Sequence, residues 1–351
     1  MTRTALSDHL ASTGARFGEY CGAETAARFG DAHAEFAALR SGCGVFDLGW
    51  RAKLVVTGED RVRWLNGMVT GNVRDLPQNR GSYSFLLNPQ GHILGDLYIY
   101  NRGDHLLLDT DRSQAARMRE VFEKYIIMDD VEVTDISDKL TAIGLRGPRA
   151  TAVLERCGLN IGSLQPLEVR DATFQGVGIS LVRATGRDIS CEIWLAPQNA
   201  ARVWDAQVAA GAAPAGTEAL EMWRIAAGVP RYGQDIRERD LPQETEQHQA
   251  LDFSKGCYVG QEIVERIRSR GQVHRKFTGF LLEEVAAAPG TKLQADGKDV
   301  GELTSVASLP QTNGTRKTIA LGYVRREIGK AGKVLQAGGT AVTVTELPFA
   351  L

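Results

Sequence analysis

The chain has 351 residues, a formal net charge of −2, and 43% hydrophobic and 24% charged residues. That length exceeds what one hydrophobic core serves, so two or three domains are expected, and the near-neutral charge excludes whole-chain attraction to nucleic acid or an anionic membrane. The five cysteines, Cys21, Cys43, Cys157, Cys191 and Cys257, are odd in number, widely spaced and without a Cys-x-x-Cys, which argues against a disulfide framework and against a self-contained zinc or iron–sulfur site.

Met1 to Arg16 is polar, with no cleavage-type signal, and no later apolar run reaches the length of a bilayer span, so a reducing cytoplasmic location is expected. Asp31 to Arg40 reads as a helix, and Gly44 to Leu48 as a short buried strand or turn. Leu54 to Val56 reads as a strand, and Thr57 with Asp60 three residues on marks the start of a helix through Leu65. Ser82 to Leu87, Leu94 to Tyr100 and Leu106 to Asp109 are expected strands, followed by Met118, Val121, Phe122 and Tyr125 at helical spacing and a strand at Val131 to Val133. This order is the split βαβ plan of a ferredoxin-like domain. A second pass of the same order begins at Thr141: a strand at Ala142 to Leu145, a helix opened by Pro148, strands at Val177 to Arg183 and Ile189 to Leu195, and a helix capped by Asn199. Another helix follows at Glu218 to Ala227, and Gly233 to Ala250 is a long polar loop. After Arg275, short strands punctuated by Pro289-Gly290, Asp296-Gly297, Asn313-Gly314 and Gly338-Gly339 have the spacing of a small antiparallel barrel of roughly 75 residues.

Lys255-Gly256-Cys257-Tyr258-Val259-Gly260-Gln261-Glu262 concentrates a thiol, a cation, an acid, an amide and two glycines. In an extended backbone Lys255 and Cys257 share a face. Ile263, Val264 and Ile267 then recur at helical spacing, with Glu262 four residues before Arg266, so Cys257 is expected just ahead of a helix N-terminus. The positive end of that helix and the Lys255 ammonium both favour thiolate over thiol, which makes Cys257 a candidate reactive cysteine. The same residues also read as a small buried hydrophobe flanked by turn glycines.

Lys-Gly-Cys-Tyr-x-Gly-Gln-Glu resembles the signature of the YgfZ-type folate-binding proteins, relatives of the glycine-cleavage T-protein linked to iron–sulfur cluster assembly and repair. The resemblance implies an α+β, three-domain, ring-like T-protein architecture with two ferredoxin-like units and a C-terminal barrel. On it, residues 1–52 with 140–250 form a discontinuous first folate-binding domain, 53–139 the ferredoxin-like domain, 251–274 a cysteine-motif connector, and 275–351 the barrel. It runs from about residue 30 to the C-terminus.

The second informative stretch is Tyr83 to Leu97. Asn88 to Gly91 is a turn, so Tyr83 and Asp96 fall on adjacent strands, and an acid among Leu94, Leu97 and Ile99 either faces water or finds a partner. Val69-Thr70-Gly71-Asn72-Val73 and Asn88-Pro89-Gln90-Gly91 resemble T-protein segments, which implies that Asp96 contacts the pterin of tetrahydrofolate, beside Tyr83. A second acid commonly precedes that position in the family; here it is Gly95. By the same resemblance, Glu192 in Cys191-Glu192-Ile193-Trp194 is the carboxylate for the amino-pyrimidinone edge, although its position also suits an exposed strand residue. Trp223-Arg224 through Asp235-Ile236 resembles Arg-x-x-x-Gly-x-x-x-x-Gly-x-Asp-Ile, which implies that Arg224 is a fork for a folate carboxylate; without the family it reads as a surface arginine.

Arg266, Arg268, Arg270, His274, Arg275 and Lys276 form a basic run, read either as a solvated face or as a landing site for polyglutamyl folate or an acidic partner. No aromatics interleave with it, which disfavours single-stranded nucleic acid. The resulting expectation is a tetrahydrofolate-binding protein that serves iron–sulfur proteins or assembly factors through Cys257. The competing one is a folate-dependent aminomethyl- or methyltransferase acting on a small amine or sulfur donor, with Asp96 as its catalytic acid.

Overall fold

In the computed structural model, which describes residues 2–185, 190–271, 273–283, 287–311 and 315–350, the chain folds as two units. Met1–Ser84 and Asp96–Leu220 form the first; Phe85–Gly95 and Glu221–Leu351 form the second. The expected turn at Asn313-Gly314 and the start of a strand at Ile189 lie outside the described residues.

Two sheets with the same ordering are built largely from residues of the first unit. One runs Gly81–Leu87, Ile93–Asn101, Leu106–Asp111, Arg51–Thr57, Glu132–Asp135. With the helices Arg61–Met68 and Arg112–Tyr125 in the crossovers, the last four strands are in ferredoxin-like order, and Gly81–Leu87 is added at the edge. The other runs Val169–Phe174, Val177–Arg183, Ser190–Leu195, Thr141–Arg146, Gly44–Asp47, Ala213–Pro214. Here the place that Glu132–Asp135 takes in the first sheet is filled from the N-terminal region by Gly44–Asp47, antiparallel to Thr141–Arg146. Thr141–Arg146 and Gly44–Asp47 are buried along their whole length, as suits strands covered on both faces. Val45, Ile143, Leu145, Leu181, Ile193 and Trp204 are among the residues of the core beneath.

Local signals mostly placed the elements, with shifts at the helix starts. Asp31 caps Ala32–Ser41 as its side chain accepts from the His33 and Ala34 amides. Thr57 does not start the next helix. That helix is Arg61–Met68, and Asp60 ahead of it accepts from the Asp130 amide and the Arg63 guanidinium instead of capping its own helix. Asn199 ends a 3-10 turn before Ala200–Ala209 and makes no side-chain cap bond. A third sheet, Thr2–Arg3, Ala23–Arg28 and Arg16–Tyr20, has no counterpart in the sequence reading.

The second unit is built on a closed six-stranded antiparallel barrel, in which Arg275–Leu282 pairs with both Arg316–Arg325 and Thr340–Thr345. Closure leaves no free edge, and alternate residues such as Leu293, Leu303, Leu335, Val342 and Val344 fill the interior. A register shift between Leu303 and Ser305 turns the buried hydroxyls of Thr304 and Ser305 onto Asp235, which precedes the barrel in the chain.

Among the described residues no helix is long and apolar enough to cross a membrane.

Candidate functional site

Asp96 and Tyr83 meet as the hairpin requires. The Tyr83 hydroxyl donates to Asp96 Oδ2 at 2.7 Å, and Gln114 Nε2 donates to Oδ1 at 2.8 Å. Leu97 and Ile99 are buried in the core, so period-2 alternation turns Asp96, Tyr98 and Tyr100 to the other face. On that face the flanking strands carry an ordered charge pattern. Arg51 lies opposite Asp111 and Lys53 opposite Asp109 in the antiparallel register. Arg51 Nε donates to Asp109 Oδ1 at 2.8 Å and its Nη1 to Asp111 Oδ1 at 2.5 Å. Lys53, fully buried, places Nζ 2.9 Å from Asp109 Oδ2 and 4.9 Å from the centre of the Trp194 ring.

The second sheet contributes Glu192. It is half-buried, not exposed, and shares a strand face with Trp194, whose Nε1 donates to Glu192 Oε2 at 2.8 Å. Tyr100 meets the same Trp194 ring edge-on, with centroids 4.9 Å apart. Tyr83, Asp96, Arg51, Lys53, Asp109, Asp111, Gln114, Glu192 and Trp194 thus all belong to the first unit.

Four carboxylates and two cations in an enclosed place perturb one another. Burial, and then the neighbouring Asp111 charge, push the Asp96 carboxyl above its usual range, against the hydrogen bonds from Gln114 and Tyr83. Burial, and then Asp109, push Glu192 up, while Lys53, Trp194 and Arg51 oppose. Asp109 goes the other way: although burial would raise it, Arg51 and Lys53 hold it below the ordinary carboxylate range. The environments therefore separate one committed anion from two carboxylates that accept a proton more readily. The site residues missed from sequence are Arg51, Lys53, Asp109, Asp111 and Gln114. Their signal was the complementary pair Arg51-x-Lys53 and Asp109-x-Asp111, each with both charges on one strand face.

Arg224 is held by protein partners on every side of its guanidinium. It belongs to the second unit, where Nη1 donates to Asp235 Oδ2 at 2.6 Å and to the Val229 carbonyl, Nη2 to Glu221 and Ser305, and Nε to Glu221. All five guanidinium N–H bonds are thus engaged by protein acceptors, and a folate carboxylate there would have to displace one. Its helix, Thr217–Ala226, does not expose it as a surface residue: Arg224 is buried.

Cys257 is exposed and lies three residues before Gly260, the N-cap of the helix Gln261–Arg270. The expected extended backbone is broken at Gly256, where φ is +94°. Lys255 and Cys257 therefore do not share a face: Lys255 is buried with Nζ 5.2 Å from the Tyr258 ring centroid, and Cys257 faces out. Gly260, at φ +82°, sits against the Asn88–Gly91 turn, where an added Cβ would come 2.6 Å from the Asn88 carbonyl oxygen. The Asn88–Gly91 turn thus packs directly on the cysteine motif within the second unit. Of the basic run, Arg275 is ion-paired with Asp240 and Glu244, and Arg268 lies over the Phe253 ring and pairs with Glu265. Arg266 and His274 line a cleft of about 460 Å³ beside Gln90 and His92; the side chain of Arg270 lies outside the described residues.

The family model for the GCVT N-terminal domain matches residues 6–255. The chain belongs to the GCVT family. The model for the CAF17 C-terminal beta-barrel domain matches residues 272–349, the closed barrel of the second unit. Similar curated proteins include an aminomethyltransferase of Thermosynechococcus vestitus, 30% identical over 92% of this chain and 87% of its own length. Another is an aminomethyltransferase of Rippkaea orientalis, 29% identical over 96% and 93%. A chloroplastic putative transferase of Arabidopsis thaliana is 27% identical over 89% of this chain and 72% of its own. The crystal structure of glycine cleavage system aminomethyltransferase T from Bartonella henselae superposes with a TM-score of 0.88, covering 99% of this chain and 98% of that one at 21% identity. The chain therefore has the T-protein fold with a closed C-terminal barrel.

Proposed function

We propose that this GCVT-family protein binds a tetrahydrofolate, in mono- or polyglutamyl form, at Tyr83, Asp96 and Glu192, and that it supports iron–sulfur cluster assembly or repair with Cys257 as its functional thiol. The observation that carries the folate reading is Glu192: a half-buried carboxylate with a single hydrogen-bond donor, Trp194, among the described residues. A carboxylate has about four acceptor positions, so Glu192 keeps unused capacity facing a place where burial already penalises its charge. A planar ligand edge with two adjacent N–H groups, as a pterin has, supplies the missing donors. Asp96 likewise has one donor on each oxygen and room for more. Bound there, tetrahydrofolate would supply nitrogens able to carry a one-carbon unit; the protein's part is to hold the ring by Glu192 and Asp96, with the Tyr83 hydroxyl fixing the Asp96 carboxylate.

The iron–sulfur reading rests on the Lys255 to Glu262 motif, on the exposure of Cys257 and on the CAF17-type barrel. Cys257→Ser is expected to abolish rescue of iron–sulfur enzyme activity in cells lacking the protein, while folate affinity is retained. Full rescue would remove the thiol from the account.

Aminomethyltransferase relatives that align over nearly the whole chain favour a second reading, folate-dependent C1 transfer. Incubation of the purified protein with tetrahydrofolate and aminomethyl or methyl donors separates the two: formation of methylene- or methyl-tetrahydrofolate, lost in Asp96→Asn, would establish transfer.

A further inference from the structure

Asp96 is gripped at four points. Its backbone N–H donates to Gln114 Oε1 at 2.9 Å, its backbone carbonyl accepts from the Thr110 hydroxyl at 2.8 Å, and its two carboxylate oxygens accept from Gln114 Nε2 and Tyr83. Gln114 makes two of these contacts with one planar amide. It lies in the first turn of the helix Arg112–Tyr125 and is buried, and both of its polar atoms are spent on a single residue of a neighbouring strand. A glutamine that only filled space would not need both amide atoms on one partner in this way.

From this two-point clamp we infer that Gln114 is a positioning residue, which fixes the Asp96 carboxylate in one rotamer for the ligand. The inference rests on the folate reading only for what Asp96 contacts, not for the clamp itself. The charged and titratable groups facing Asp96 are Tyr83 from its hairpin partner, Tyr98 on its own strand, Arg51, and Asp111. Burial and the Asp111 charge favour protonation, and the Arg51 charge opposes them. The Gln114 N–H bond is made to the charged form, so it offsets desolvation at the oxygen it touches. The amide also sets which lone pairs of Asp96 remain free: those not aimed at Gln114 or Tyr83.

Two variants test this. Gln114→Met keeps the volume and deletes both bonds; Gln114→Asn keeps the amide but is one methylene too short to span both atoms. In full-length protein labelled at aspartate carboxyl carbons, with Asp96 assigned by its absence in Asp96→Asn, the NMR titration of Asp96 should move upward by on the order of one pH unit in each folded variant. The pH midpoint of tetrahydrofolate affinity should move with it. An unchanged Asp96 titration in a variant with wild-type thermal unfolding would overturn the inference. A shifted titration in a protein that binds no folate at all would uphold the clamp and overturn the ligand reading instead.

Discussion

The hydroxyl of Tyr83 lies 2.7 Å from Asp96 Oδ2 across two neighbouring strands, and it is a permanent donor. Burial, and then the Asp96 charge, push the Tyr83 phenol well above its ordinary range, so it keeps its proton through the neutral range. Asp96 is the member of the pair that titrates.

A pH dependence follows with a definite sign. The Asp96 carboxyl is raised in the folded state, so the folded protein binds that proton more tightly than the unfolded chain, and stability from this group falls as pH rises from about 4 through the folded value. Asp96→Asn removes the effect. The stability of wild type relative to Asp96→Asn, followed by thermal unfolding between pH 3.5 and 7, should therefore decline with increasing pH. A flat difference would contradict the raised value.

Arg224 makes a stability prediction. It is paired at 2.6 Å with fully buried Asp235, which also accepts from Thr304 and Ser305. Removing one member of a buried pair leaves an uncompensated charge, at a cost of about 3–5 kcal/mol. Arg224→Met should therefore lower the unfolding midpoint of the barrel unit strongly, and Asp235→Asn should do so too. Loss of folate affinity with unchanged unfolding would instead support Arg224 as a ligand fork.

Gly260 and Gly256 form a matched pair of tests. Both have positive φ, so an alanine at either is strained by about 1–2 kcal/mol. Only at Gly260 does the new Cβ meet backbone, the Asn88 carbonyl, whereas at Gly256 it meets open space. Gly260→Ala should destabilise clearly more than Gly256→Ala in denaturant unfolding; equal effects would deny the packing of the Asn88–Gly91 turn on the cysteine motif.

The cysteines should separate by labelling. Burial pushes the Cys43 thiol up to about 11 and the Cys191 thiol up to about 12, and burial raises Cys157 as well, whereas Cys257 is exposed. Iodoacetamide at neutral pH, read out by peptide mass spectrometry, should modify Cys257 first and leave Cys43 and Cys191 until the protein unfolds. Early modification of Cys191 would contradict the described core.

What was legible in the sequence was what local rules determine. The turn Asn88–Gly91 set the register that joins Tyr83 to Asp96, and glycine pairs announced the barrel strands. The hairpin between Arg16–Tyr20 and Ala23–Arg28 was missed because its left-handed two-residue turn uses Cys21 at φ +50° before Gly22, not the asparagine or aspartate that usually signals it. Arg51, Lys53, Asp109 and Asp111 escaped notice because alternating charges on a strand ordinarily mean a solvated face. Only the antiparallel register, which sets cation against anion, and the second sheet, which brings up Trp194, make that face an interior. The burial of Arg224 was illegible for the converse reason: its partners Asp235 and Ser305 lie 11 and 81 residues away, beyond any local pattern.

The most direct test of the central claim is a calorimetric titration of the full-length protein with tetrahydrofolate under reducing, anaerobic conditions, repeated with Glu192→Gln. The account predicts saturable one-to-one binding by wild type and a loss of about 1–3 kcal/mol in affinity for Glu192→Gln, the scale of a hydrogen bond to a charged group. Absence of binding by wild type, or equal affinity of Glu192→Gln, would contradict it.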